Sequence, residues 1–403
     1  MIDVDVLIAG GGIAGLVAAA AFVAEGRSVF LVDAGPGPER AATEDSDLRS
    51  TAILEPSIAF LTEIGLWPVF ADGATDLATM RLLDAGGREN AVRTSAAFAA
   101  VDTGRPRFGV NVLNAPLRAR LSAEVAQLPG VRVRFGCAVT GALARSNVNT
   151  VALDDGTRVH ARLAIAADGR DSRLRKAAGI GVRRWGFGQK ALVFAVSHPL
   201  PHNNISTEIH RTGGPFTLVP LPDRAGVPHS AVVWMERGPV AGRLHALDDA
   251  AFEEELNARS CGVLGPLRLA GKRAVWPIVN QLARRFDGPR LALVAEAAHV
   301  MPPIGAQGLN TSLGDLRALT ALTRGAADPG AAGILSRYHR TRYAPVAARM
   351  AGVDLLNRAA LAGPQPLRDL RNAGLRLLDA TPLRRVAMQV GLGAPQGTVS
   401  GKP

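Results

Sequence analysis

Three stretches of the chain hold residue types whose order could do chemistry. The first is Gly10, Gly12 and Gly15, a G-x-G-x-x-G run with Ile13 and Ala14 before its last glycine. The first glycine permits a sharp turn, the second lets the backbone approach a pyrophosphate, and the third lets a helix pack closely on a strand. Asp33 follows about twenty residues on, the interval at which a carboxylate meets the ribose of a bound dinucleotide. It would repel a 2′-phosphate, which favours FAD or NAD over NADP. The second stretch is Asp168-Gly169-Arg170-Asp171-Ser172-Arg173-Leu174-Arg175, placed after an apolar run. The third starts at Leu291, reaches Ala295-Glu296, and continues through Pro302, Pro303, Gly305, Gln307, Gly308 and Leu309 to Asn310. An acid at a strand end can bind a polyol hydroxyl. A glycine-rich helix start can stabilise negative charge at the pyrimidine end of a reduced flavin.

These residues need particular elements to position them. Val4 to Ala9 reads as a buried strand, Leu16 to Glu25 as an Ala-rich helix ended by Gly26, and Ser28 to Asp33 as a second strand. Together they make one β-α-β unit of about thirty residues, the size of a parallel crossover. Helices are expected at Pro56 to Ile64, Ala115 to Gln127 and Asn310 to Arg324. Thr79 to Asp84 and Arg88 to Thr94 read as strands joined at Gly86-Gly87. Further strands are expected at Val131 to Phe135, Thr150 to Leu153, Arg158 to Ala166 and Leu291 to Ala295. Leu192 to His198, Phe216 to Pro220 and Ser230 to Met235 suggest an inserted antiparallel sheet. Residues 331–391 read as mainly helical, broken near Gly363-Pro364 and Pro382, with a frayed tail from Gly393.

Composition narrows the classes. With 403 residues and 47% hydrophobic content the chain can bury a large core, and two domains are expected. Cys137 and Cys261 have no Cys or His at metal-ligand spacing, so no metal site is expected and both read as free thiols. The apolar start runs straight into the glycine motif and reads as structure, not as a targeting segment. No apolar run reaches the roughly eighteen residues of a membrane span. The net charge of +11 is uneven. From Arg337 onward the chain holds ten arginines and one lysine against Asp354, Asp369 and Asp379. No nucleic-acid motif accompanies that charge, so nucleic acid is excluded as a partner.

Taken together, the three motifs resemble the group A flavoprotein monooxygenases, the p-hydroxybenzoate hydroxylase type. Asp168-Gly169-x-x-Ser172-x-x-Arg175 matches the D-G-x-x-S-x-x-R motif of that family, and the third stretch matches its G-D-A-A-H-x-x-P-P-x-x-G-Q-G-x-N. One departure stands out: Ala295-Glu296 replaces Gly-Asp, and Glu296 keeps the carboxylate on a longer arm. The resemblance implies an α/β fold with a Rossmann-like FAD-binding domain of the glutathione-reductase type, an inserted antiparallel-sheet substrate domain and C-terminal helices. It places the FAD-binding domain at 1–75, 101–180 and 281–330, the substrate domain at 76–100 and 181–280, and the helical region at 331–403. It also implies cofactor roles for Arg49 and Asn114; taken alone, Arg49 could be a loop arginine and Asn114 a helix N-cap.

Around Trp185–Ala191, Gly214–Leu221, Val232–Trp234, Tyr338-x-x-x-Arg342, Asp354–Arg358 and Arg371–Arg376 the chain is most similar to the ubiquinone-biosynthesis hydroxylases. The implied reaction is hydroxylation of a polyprenylated phenol through a flavin C4a-hydroperoxide, with NAD(P)H or another reductant as electron donor. Phe216, Leu218 and Pro220 share a strand face and, with Trp234, are expected to line an apolar substrate pocket. His299 reads as structural, and no base for the phenol stands out. Leu-rich, Arg-rich helices such as Leu375-Arg376-Leu377-Leu378 and Leu383-Arg384-Arg385-Val386 suggest peripheral contact with anionic lipid. A cytoplasmic location at the inner membrane face is expected, with a biosynthetic complex as a further partner. A flavin hydroxylase of a soluble aromatic or polyketide, and a non-catalytic FAD-binding component of such a complex, are the alternatives. A flavin halogenase does not fit, because Val275-Trp276-Pro277-Ile278 is not W-x-W-x-I-P.

Overall fold

The computed structural model describes residues 2–38, 49–87, 91–361 and 363–380. The opening crossover forms as its sequence pattern requires. Strand Ile2–Ala9 runs parallel to Val29–Asp33, with helix Ile13–Ala24 between them. Ala14, Ala18, Ala19, Ala20 and Ala21 of that helix are all buried, so small side chains let it lie close to the sheet and to helix Gln307–Thr323. The main path of the sheet runs Asp287–Gly288, Leu291–Leu293, Arg158–Ala166, Ile2–Ala9, Val29–Asp33, Val131–Phe135. A hairpin of Val139–Ala144 and Asn149–Leu153 pairs onto Arg158–Ala166; its first strand is too mixed in hydropathy to stand out in the sequence.

A second sheet has nine strands. Its main path is His299–Val300, Ala274–Ala283, Val182–Ser197, Val227–Arg237, Pro215–Arg224, Ile205–His210, Thr79–Asp84 and Thr94–Ala99. It is antiparallel except where Ile205–His210 runs parallel to Thr79–Asp84, the seam between two distant chain segments. The partner of Thr79–Asp84 is Thr94–Ala99, not a strand beginning at Arg88. The backbone N–H of Arg93 bonds the carbonyl of Asp84, and the guanidinium of Arg93 bonds its carboxylate, so the connection is longer than a tight Gly86-Gly87 turn. Arg88 itself lies outside the described residues, as do Pro382, Leu383, Arg384, Arg385, Val386 and Gly393.

Helix Ala332–Ala360 carries Pro345 in its interior, and helix Gln365–Ala380 packs on strand Thr94–Ala99. The long helix is fixed to the second sheet by polar bonds. Asp354 accepts from Trp185 Nε1 and Asn280 Nδ2, both at 2.7 Å, and Asn357 donates to Gln189 at 2.8 Å. Arg358 lies over the Phe187 ring. Two sequence patterns far apart in the chain, 185–189 and 354–358, are therefore the two halves of one joint.

Candidate active site

The first glycine turn is dictated by steric contact. A Cβ on Gly10, whose φ is +115°, would lie 2.2 Å from the carbonyl oxygen of Ala167, and one on Gly15 would lie 1.8 Å from that of Gly10. At Gly12 a Cβ would meet nothing within 4 Å, so the turn is open on that side. The opening faces a cavity of about 1470 Å³, above the roughly 300–1,000 Å³ of most ligand pockets. Gly12, Ile13, Ala14 and Gly15 line it together with Arg49, Asn114, Gly169, Glu296, Pro303, Gly305, Gln307, Gly308 and Leu309. The structure thus gathers three motifs, separated by up to about three hundred residues of chain, around one space.

Four expected residues stand behind this wall. Gly10 is closed in by Ala167. Asp33 spends its carboxylate on the turn itself, accepting from the backbone N–H of Gly11 and of Gly35. Asp168 accepts from the N–H groups of Arg173 (2.7 Å) and Leu174 (3.1 Å), which leaves its buried Oδ1 without a protein partner. Asn310 satisfies all its amide groups in protein. It donates to the carbonyls of Ala52 and Ala306 and accepts from Leu54 N and Ser57 Oγ. It bolts the glycine loop to strand Ser50–Leu54.

The remaining motif residues are also explained by contacts. Ser172 caps helix Arg173–Ala177 by accepting from Arg175 N at 3.0 Å, and the Arg175 guanidinium reaches Ala297 O at 2.8 Å. The second motif thereby holds the third in place. His299 is buried and bonds Asp315 at 2.6 Å, and Arg342 bonds the other Asp315 oxygen at 2.7 Å. Burial alone would raise the Asp315 pKa; the charges of His299 and Arg342 reverse this and hold it below the usual carboxylate range. Asn114 is the first residue of helix Asn114–Gln127 and makes no cap; its Oδ1 accepts from Thr51 at 2.7 Å beside the cavity. Arg49 lies 4.8 Å over the Trp276 ring.

Two cavity arginines escaped the sequence reading. Arg118 donates to Gly11 O at 2.8 Å, which places a cation at the glycine turn. Arg349 bonds Gln307 Oε1, and burial pushes its guanidinium down from the ordinary value. The one signal for Arg118 was its place a helical turn after Asn114.

The expected substrate wall needs correction. Phe216, Leu218 and Trp234 are buried on the opposite face of the second sheet, in a core with Phe194 and Phe252, and Pro220 does not face the cavity. Arg259, pushed down to about 10 by burial, stacks on Phe216 and bonds the carbonyls of Ile209 and Gly214. Helices Gly238–Ala246 and Asp249–Ser260 cover that face. The strand alternation was right and the side was inverted: the cavity is met by Thr217, Val219 and Val233. Helices on one face and a large cavity on the other bury both, so apolar character alone could not choose.

A dinucleotide fits this site. The open glycine turn has room for a pyrophosphate, and Arg49 and Arg118 bring positive charge to the cavity wall. The chain belongs to the FAD binding domain family, whose model matches residues 3–352, and is an FAD-dependent monooxygenase. It is 32% identical to ubiquinone hydroxylase UbiL of Rhodospirillum rubrum over 96% of this chain and 89% of that protein. It is 27% identical to the 3-demethoxyubiquinol 3-hydroxylase of Escherichia coli over 96% of this chain and 98% of that protein. Among solved structures, p-nitrophenol 4-monooxygenase PnpA of Pseudomonas putida superposes with a TM-score of 0.79 at 18% identity, covering 97% of this chain and 99% of that one. That last likeness speaks for the fold alone.

Proposed function

We propose that this monooxygenase hydroxylates the ring of a polyprenylated phenol on the route to ubiquinone, with NAD(P)H as the reductant. The observation that carries the reading is the continuity of the cavity. From the glycine loop at Pro303–Leu309 it extends past Val233 and Val219 to an apolar chamber walled by Met80, Leu82, Phe98 and Leu375. It reaches Leu356, which is 60% exposed. A flavin ring at one end and a greasy tail leading to the surface would share one space. The names of the relatives from Rhodospirillum and Escherichia support the same class of substrate.

In this reading the N-termini of helices Ile13–Ala24 and Gln307–Thr323 would both hold FAD. Gly12, Ile13, Ala14, Gly15 and Arg118 take the pyrophosphate. Glu296 would hold the ribityl chain, and Arg49, Asn114 and the loop from Gly305 to Leu309 would contact the flavin. Bound FAD supplies the redox chemistry, taking electrons from the donor and activating dioxygen. The chain's own work is to orient the phenol and exclude water, which the apolar chamber wall serves.

Among the described residues no helix is long and apolar enough to cross a membrane. Leu356 is exposed where it lines the cavity, and Leu355, Leu367 and Leu370 are exposed on the same two C-terminal helices, which also carry Arg358 and Arg376. Peripheral contact with anionic lipid would deliver the substrate there.

The test is hydroxylation by the purified, FAD-loaded enzyme. With NAD(P)H and isotopically labelled dioxygen, a prenylated phenol should gain one labelled oxygen, and a deletion strain should accumulate that phenol. Hydroxylation confined to tail-less aromatics, with an unchanged quinone pool in the deletion strain, would overturn the substrate assignment.

A further inference from the structure

The chamber contains a titratable pair that no motif announces. Strand Ile205–His210 turns Ser206, Glu208 and His210 toward the cavity. Glu208 is only 7% exposed, and its one side-chain partner among the described residues is His210, whose Nε2 lies 2.7 Å from Oε1. The other ring nitrogen of His210 is buried with no partner.

The other carboxylates on the wall are otherwise engaged or badly placed. Asp84 lies beside His210 in the neighbouring strand but is neutralised by Arg93 at 2.7 Å and Arg371 at 2.8 Å. Glu296 is exposed and sits at the glycine-loop end. Glu208 instead stands in the row Leu82, Glu208, Thr217, Val233 across the sheet, among the side chains of the apolar chamber. A carboxylate kept in such surroundings with a single imidazole partner is costly to bury.

We propose that Glu208 is the catalytic group that receives the substrate's ring hydroxyl, and that His210 positions it and shares its proton; the inference rests on the hydroxylase reading. In the bound phenol the hydroxyl O–H bond breaks before oxygen is transferred. Its proton passes to the Glu208–His210 pair, and its electron pair moves through oxygen into the ring as a ring carbon bonds one oxygen atom of dioxygen; the O–O bond breaks and the second oxygen atom leaves as water, with NAD(P)H as the reductant. When the new C–O bond has formed, the ring loses its C–H proton to water, and the pair returns its proton to the ring oxygen. The pair thus ends each turnover in its starting state, and aromaticity is restored. The charged groups packed around it are Asp84, Arg93 and Arg371, with Glu236 against Gly213 just beyond the strand. Arg371 also donates to the carbonyls of His210 and Arg211, so the C-terminal helix fixes the pair's backbone.

The experiment compares wild type, E208Q and H210N as full-length, FAD-loaded chains. The probe is a short-chain prenylated phenol, with its O-methyl ether as control. In E208Q the hydroxylation kcat should fall about 100-fold, the scale of a lost general base, with FAD content kept and NAD(P)H oxidation diverted to hydrogen peroxide. The rise of wild-type kcat with pH should vanish in E208Q and shift in H210N. Wild type should turn over the ether far more slowly than the phenol. Wild-type rates and an unchanged pH profile in E208Q would overturn the proposal. So would equal turnover of phenol and ether by wild type, a comparison that stands even if E208Q does not take up FAD. A wild-type enzyme that hydroxylates no phenol would remove the hydroxylase reading instead. In that case the absorbance of the bound phenol decides the role of the pair: ionised in wild type and neutral in E208Q supports it, and no difference overturns it.

Discussion

Ala295 occupies the left-handed region, with φ +53°, just past strand Leu291–Leu293, which stops short of the expected Ala295; it opens the short helix Ala295–Ala298 that carries Glu296. That conformation costs an L-residue roughly 1–2 kcal/mol, and glycine avoids it at some entropic cost of its own. A295G should therefore stabilise the protein by about 1 kcal/mol, read by denaturant unfolding. A lower midpoint would show that the Ala295 methyl packs usefully. Asp315 makes a second residue-scale prediction. Its folded pKa is depressed, so its contribution to stability is present above the unfolded value near 3.8 and is lost as pH falls through the lower folded value. D315N should cost about 3–5 kcal/mol at neutral pH, because Arg342 is left buried without its counter-charge. It should also flatten the acid-side loss of stability below about pH 4. An unchanged acid limb in melting experiments would assign that loss to other groups.

At the scale of elements, the two faces of the second sheet can be separated by substitution. Phe216 is buried in the core under helices Gly238–Ala246 and Asp249–Ser260, so F216A should cost about 3–5 kcal/mol. Val233 faces the cavity from the paired strand. V233F should cost little stability yet raise KM for the aromatic substrate at least several-fold, and steady-state kinetics beside thermal melts would detect the reverse pattern. This contrast also marks what the sequence could and could not say. The glycine crossover was legible because steric contact at Gly10 and Gly15 admits no other residue. Strand parity through Phe216 and Leu218 was legible because alternation is a property of the backbone. Which face met the cavity was not, since both faces are buried. Nor was the Glu208–His210 pair, whose two residues carry no recognisable spacing and gain meaning from the chamber around them. Arg118 was likewise hidden, because its partner is a backbone carbonyl more than a hundred positions away.

On the scale of the whole molecule, the first sheet and its glycine turns make one half of the cavity, and the second sheet with the C-terminal helices makes the other. Buried bonds from Asp354 and Asn357 hold the halves' shared helix in register. If the exposed leucines of helix Gln365–Ala380 serve as a lipid contact, the purified chain should co-sediment with anionic vesicles, and the double change L367S/L370S should weaken this several-fold without altering FAD content. Equal sedimentation of the double variant would place the contact elsewhere. The whole account depends on the three motifs enclosing a single flavin nucleotide. The most direct test is the visible spectrum and flavin content of the purified chain, alongside a variant in which Gly12→Glu fills the open turn with negative charge. The account predicts one FAD per chain in wild type and its loss from a G12E protein that remains folded by circular dichroism. A colourless wild type that takes up no FAD, or a G12E variant that binds it equally well, would contradict it.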